Sequence, residues 1–103
     1  MNFTEALDTF VDHINRICEE YYALHYPKLP APKHRAKVSK KYAKVITLNA
    51  EGEDSSVFCF VRVEDGAVLK AAGWSTPAKH ARGTIYTDDP AEYGVTTCGA
   101  RYL

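Results

Sequence analysis

Between Phe3 and Tyr21 the apolar residues Phe3, Leu7, Phe10, Val11, Ile14, Ile17, Cys18 and Tyr21 return every three or four positions. That spacing puts them in one stripe along an α-helix. A helix with a single apolar stripe must bury it against a second layer, so the rest of the chain has to supply that layer. Asn2 suits the N-cap, with Glu5 three residues on as the reciprocal half of a capping box, and the acidic first turns complement the helix dipole. Tyr26-Pro27 and Leu29-Pro30-Ala31-Pro32 end it, because proline lacks an amide hydrogen and drives its predecessor into extended backbone. The spacing therefore predicts a helix over about 3–25.

Beyond the helix the charge changes sign. Thirteen bases balance thirteen acids over 103 residues, but they are segregated. Residues 5–20 carry Glu5, Asp8, Asp12, Glu19 and Glu20 against Arg16 alone, and residues 28–44 carry Lys28, Lys33, Arg35, Lys37, Lys40, Lys41 and Lys44 without an acid. Such asymmetry points either to an anionic partner or to a solvated face. The proline-marked stretch 26–39 reads as an extended basic linker.

From Tyr42 the pattern is that of strands. Lys44–Leu48 is β-branched, Ser56–Val63 is a second run, and Ala67–Ala72 follows the dipeptide Asp65-Gly66, which favours a two-residue type I′ hairpin. Such a hairpin pairs Val63 with Val68 and Phe60 with Ala71. It puts Phe58, Phe60, Leu69 and Ala71 on the face expected to receive the helix. The other face, with Cys59, Val61, Val63, Val68 and Lys70, is apolar enough to suggest a second layer or a homo-oligomer contact. Thr76, Pro77 and Gly83 have the order of cap, first turn and C-terminal glycine, so a short helix is expected between them. Tyr93–Leu103 reads as one more short strand. The expected fold is α+β: a long N-terminal amphipathic helix on a three- to four-stranded antiparallel sheet, with a short helix after the third strand. One domain covers 1–103, with helix about 3–25, linker about 26–39, and sheet and short helix about 40–103.

Several function classes drop out. The 46% hydrophobic and 25% charged composition is that of a folding globular chain. No apolar run reaches the ~18–20 residues of a membrane span, and the acidic start is unlike a signal peptide, so the protein is expected to stay where it is made. Cys18, Cys59 and Cys98 suit neither disulfide pairing nor a metal site, and His13, His25, His34 and His80 never stand at ligand spacing to them. No nucleophile motif appears, and the carboxylates of Glu51, Glu53, Asp54, Asp88 and Asp89 fall in turns. Neither enzyme activity, cofactor nor metal is expected.

The densest group of binding side chains is Lys70, Trp74, Lys79, His80, Arg82 and Tyr86 around the expected strand-to-helix junction. A helix start offers free amide hydrogens to phosphate, Arg82 can chelate it, and Trp74 or Tyr86 can stack on a base. The same residues have ordinary readings: a core tryptophan, a structural histidine, and cations that stabilise a helix end. Lys37, Lys40, Lys41 and Lys44 are expected to add long-range attraction.

The run Val68-Leu69-Lys70-Ala71-Ala72-Gly73-Trp74-Ser75-Thr76-Pro77-Ala78-Lys79-His80-Ala81-Arg82-Gly83 resembles the hallmark stretch of a group of small uncharacterised tailed-bacteriophage proteins, with the likeness extending over about Tyr42–Tyr86. The resemblance implies expression in the cytoplasm of an infected bacterial host, and action against a host defence protein or in support of replication. The order helix, three strands, helix is also similar to the double-stranded-RNA-binding domain, although Gly83 ends the last helix too early for that fold. Together these readings lead to an expected phosphorylated ligand, either a small nucleotide or a nucleic-acid backbone. An alternative is a protein partner on the acidic face of the N-terminal helix.

Overall fold

The structure is a computed structural model that describes residues 2–97 and 99–101. Cys98 and the last two residues of the expected C-terminal strand lie outside them.

Helix α1 spans Phe3–His25. The Asn2 carboxamide oxygen accepts from the Glu5 amide at 2.9 Å, and the Glu5 carboxylate accepts from the Asn2 amide at 3.3 Å. Both halves of the capping box are therefore present. Ala6, Leu7, Phe10, Ile14 and Cys18 are buried along one side. Tyr26 closes the helix by donating its amide to Tyr22 O at 2.7 Å.

Strands β1 (Lys33–Val38), β2 (Tyr42–Leu48), β3 (Asp54–Arg62), β4 (Ala67–Ala71) and β5 (Pro77–Thr84) form one antiparallel meander in chain order. A 3₁₀ turn at Pro90–Tyr93 and a small hairpin, β6 (Val95–Thr96) and β7 (Gly99–Ala100), complete the order. α1 packs on one face of the sheet, where its stripe meets Ala43 and Val45 of β2, Cys59 and Val61 of β3, and Val68 of β4. Tyr93, Val95 and Ala100 from the C-terminal segment fill the same core, and the Phe10 ring meets the edge of Tyr93 at 5.1 Å.

Four expectations need correction. The stretch expected as a short helix, Thr76–Gly83, is strand from Pro77 onward, as part of β5. A six-residue helix has little stability of its own, whereas pairing with β4 satisfies its amides, and proline is tolerated at the first residue of an edge strand. The turn closes through the Ala72 and Gly73 amides, which both donate to Thr76 O. The basic linker likewise contains β1, which brings the sheet to five strands.

The third correction is one of register. Phe60 pairs with Leu69 and Val61 with Val68, so the loop holds four residues, Val63–Gly66. A type I′ turn needs positive φ at both central residues, and only Gly66 has it, at 73°. Asp65 instead accepts from the Ala67 amide at 3.1 Å and from Arg62 Nη2 at 2.7 Å. The fourth concerns the faces. The Cys59, Val61 and Val68 face takes the helix, because small side chains leave room for Phe10 and Ile14. The apolar face that suggested a further layer is thus the covered one. Between Val45–Cys59 and Ile46–Val57 the register shifts, and the resulting bulge brings Phe58 to the core side beside Cys59.

Two contacts fix the layers. Asn15 of α1 holds β1, its side-chain oxygen accepting from the His34 amide at 2.8 Å and lying 3.0 Å from His34 Nδ1. At the other edge, β5 and the 3₁₀ turn meet backbone to backbone. A Cβ on Gly83 would stand 2.4 Å from Glu92 O, and one on Gly94, at φ 71°, would stand 2.1 Å from Arg82 O.

Gly83→Ala is therefore expected to cost upwards of about 2 kcal/mol, and Gly73→Ala, whose nearest neighbour would be 4.0 Å away, within about 0.5 kcal/mol; urea titrations compare them. His34 supplies a second expectation. Burial lowers its pKa from 6.5 to about 4, so it folds neutral while the unfolded chain takes up a proton near 6.5. Its contribution is complete above pH 6.5 and is lost as the pH falls towards 4, by up to about 1.4 kcal/mol per pH unit. Unfolding free energies at pH 7, 6 and 5 should show that slope in the parent and lose it in His34→Gln.

Candidate functional site

The face of the sheet opposite α1 has no layer over it among the described residues. By strand alternation it carries the residues between those in the core: Lys33, Arg35 and Lys37 on β1, Tyr42, Lys44 and Ile46 on β2, Phe60 and Arg62 on β3, and Leu69 on β4. Ile46, Phe60 and Leu69 are nearly closed to solvent yet lie outside the cluster that α1 covers.

Lys44 and Trp74 organise this face. The turn between β4 and β5 brings Trp74 towards β2, and the Lys44 ammonium lies 4.7 Å from the indole centroid and 5.9 Å from that of Phe60. Tyr42 adds a third ring, 6.0 Å from Phe60 and nearly perpendicular to it. Trp74 remains 50% exposed, which leaves part of the indole open to solvent. The sole tryptophan thus lies at the surface and not in the core.

The charges around it divide into committed and uncommitted ones. Arg35 pairs with Asp54 and Arg62 with Asp65, each at 2.7 Å. The Arg62 hydrogen bonds, with help from the Ala67 amide, hold the Asp65 carboxyl down to about 2. Lys37 and Lys44 stand directly across from one another as strand partners. Among the described residues neither has a carboxylate partner, and the same holds for Lys40 and Lys41 in the β1–β2 turn. Like charges placed in this way repel and cost stability.

The six residues expected to form one site are not brought together. Trp74 is on the open face, and Lys79 and His80 are exposed on edge strand β5. Arg82 turns to the C-terminal segment, where Nε donates to Arg101 O at 2.8 Å and Nη1 to His80 O. Lys70 lines a recess of about 380 Å³ on the covered side with Thr96 and Arg101. The Tyr86 ring lies against Gly66, where a Cβ would come within 2.6 Å of it. With β5 a strand, the helix start that was to bind phosphate is absent. Lys44 and Lys37, expected only to assist, take the centre, and Lys33 and Arg35 join them. The alternation of bases at 33, 35 and 37 was the available signal for a strand with one basic face.

A second recess of about 340 Å³ lies between α1 and the 3₁₀ turn. There Arg16 Nη2 sits 3.1 Å from His13 Nδ1, and burial together with the Arg16 charge lowers the His13 pKa. Asp12 and Asp88 share the recess, so it has no single sign of charge. Among the described residues no group of three or more His, Cys, Asp or Glu side chains could hold a metal. Burial raises the Cys59 thiol far above its ordinary range, which makes it a poor nucleophile. No helix of the described residues is long and apolar enough to cross a membrane.

The Lys44–Trp74 contact is exposed, so Lys44→Ala is expected to change the unfolding free energy by no more than about 1 kcal/mol while shifting Trp74 emission in the folded state, both read in one fluorescence-monitored urea titration.

No curated protein and no solved structure matches the chain. A family of unknown function (DUF7717) matches over residues 4–101. That span takes in α1, the whole sheet and the C-terminal hairpin, and the chain belongs to this family.

Proposed function

We propose that this chain is a binding protein whose open sheet face holds a phosphate-bearing polymer, a nucleic-acid backbone. The observation that carries the reading is the Lys37–Lys44 pair: two cations held side by side on the sheet, with no carboxylate among the described residues to offset them. A polyanion laid across the strands relieves that repulsion and gains the contacts of Lys33 and Lys79 at the two edges. Four interstrand gaps separate those edges, about 19 Å. The face is too broad and shallow for a nucleotide signal to contact all of these cations at once, which favours a polymer over a mononucleotide. The resemblance of the Val68–Gly83 stretch to tailed-phage proteins supports a setting in the infected bacterial cytoplasm, with replication or host defence as the process served.

Removing Lys37 and Lys44 together is expected to weaken binding to a nucleic acid and to flatten the salt dependence of log K by about 0.7 per lysine for a single strand or about 0.9 for duplex. Lys70→Ala should leave both unchanged, because Lys70 lies on the covered side. Fluorescence anisotropy across a salt series reads this out. Equal losses from Lys70→Ala, or no loss from the double substitution, count against the open face as the site.

A second reading has its own observation: Asp8, Asp12, Glu19 and Glu20 are all exposed on α1, away from the sheet. An acidic helix face of this kind suits a basic host protein, and steering by charge would speed their encounter. In pull-downs from host lysate, charge reversal on α1 separates this reading from the first.

A further inference from the structure

We infer that the nucleic acid taken by this face is single-stranded, with a base seated beside Trp74 and the adjacent phosphate on Lys44; this inference rests on the proposed open-face reading. A shallow recess of about 320 Å³ opens next to the indole, lined by Ser55, Ser56, Val57, Ala71, Gly73 and Trp74. Among the described residues the Ser55 hydroxyl has no hydrogen-bond partner, so it is available to the edge of a base, whereas Ser56, opposite Thr47, alternates to the other side of β3. Gly73 lines the recess without a side chain to fill it. The indole is half exposed, and the Lys44 ammonium lies 4.7 Å from its centroid. A stacking surface, a hydrogen-bonding group at its rim and a cation beside it are what an unstacked nucleotide needs.

A duplex cannot use this arrangement. Its bases are stacked on one another, and only their edges reach the grooves. A five-stranded sheet face is too broad to enter a major groove about 12 Å wide. Inorganic polyphosphate offers charge without a base. Single strands alone combine the base face that Trp74 requires with the row of phosphates that Lys37, Lys44 and Lys33 attract.

The test compares three labelled or competing ligands at one salt concentration: an oligothymidylate of about fifteen residues, a duplex of equal length, and inorganic polyphosphate of similar charge. The single strand is expected to quench the sole tryptophan and to bind about tenfold tighter than either competitor. Trp74→Ala should lose about tenfold in affinity for the single strand and nothing for polyphosphate, and Trp74→Phe should restore most of the loss. Melting curves show whether each variant keeps its fold. Duplex or polyphosphate binding as tight as the single strand, or an unchanged affinity in a folded Trp74→Ala, overturns the single-strand inference while the phosphate reading stands. No binding of any of the three at low salt overturns both.

Discussion

One helix with one apolar stripe can cover one face of a sheet, and that limit shapes the rest of this molecule. α1 buries Leu7, Phe10, Ile14 and Cys18 against the small side chains of β2, β3 and β4. The C-terminal segment completes the same layer with Tyr93, Val95 and Ala100. Nothing in the described chain is left to cover the reverse side. That side is left open by the chain itself, and it carries lysines and arginines over a thin apolar floor of Ile46, Phe60 and Leu69. The aliphatic stem of Lys44 and the indole of Trp74 roof part of this floor, so the feature that solves a solvation problem also builds the candidate site.

The two ends of the core layer are tied down by polar and backbone contacts because apolar packing alone has no direction. Asn15 fixes where β1 lies under the helix by engaging His34 on both its backbone and its ring. Gly83 and Gly94 fix the other edge by letting two backbones touch. Both ties hold edge strands, and edges are where a meander frays or recruits foreign strands. The bases of β1 and β5 add repulsion between copies at those edges.

How much of this was legible depends on whether the signal was local. The helix could be read to its bounds, since its stripe, its capping box and its prolines all lie within thirty residues of chain. β2, β3 and β4 showed in their β-branched runs. β1 and β5 did not, because they are strands by pairing and not by propensity: Lys33–Val38 has two apolar residues, and Pro77–Thr84 carries the punctuation of a helix. Gly83 illustrates the ambiguity. A glycine after a turn of polar residues reads as a helix end, whereas here it clears space for Glu92 and Tyr93, nine and ten positions downstream. The same error scattered the expected site. Lys70, Lys79 and Arg82 converge only if a helix follows β4, and once β5 is extended, neighbouring side chains no longer share a helix face. Trp74 sits in the turn before β5, so its placement depends little on whether a helix or a strand follows.

The zero net charge is a balance of two separated surfaces. Acids on the outer side of α1 and bases on the open sheet face make the molecule a dipole with the core between its poles. A dipole attracts a polyanion more weakly at long range than a net positive charge would, and beyond about 8 Å at physiological salt even that attraction is screened. Long-range capture of a polyanion is therefore poor, and on the proposed reading what remains is orientation: the acidic helix is repelled by phosphates and the basic sheet face is turned towards them. A protein built in this way gains little from indiscriminate attraction to nucleic acid. On the proposed reading the weight falls on short-range contacts, which on the open face come from the Lys44 ammonium and the Trp74 ring.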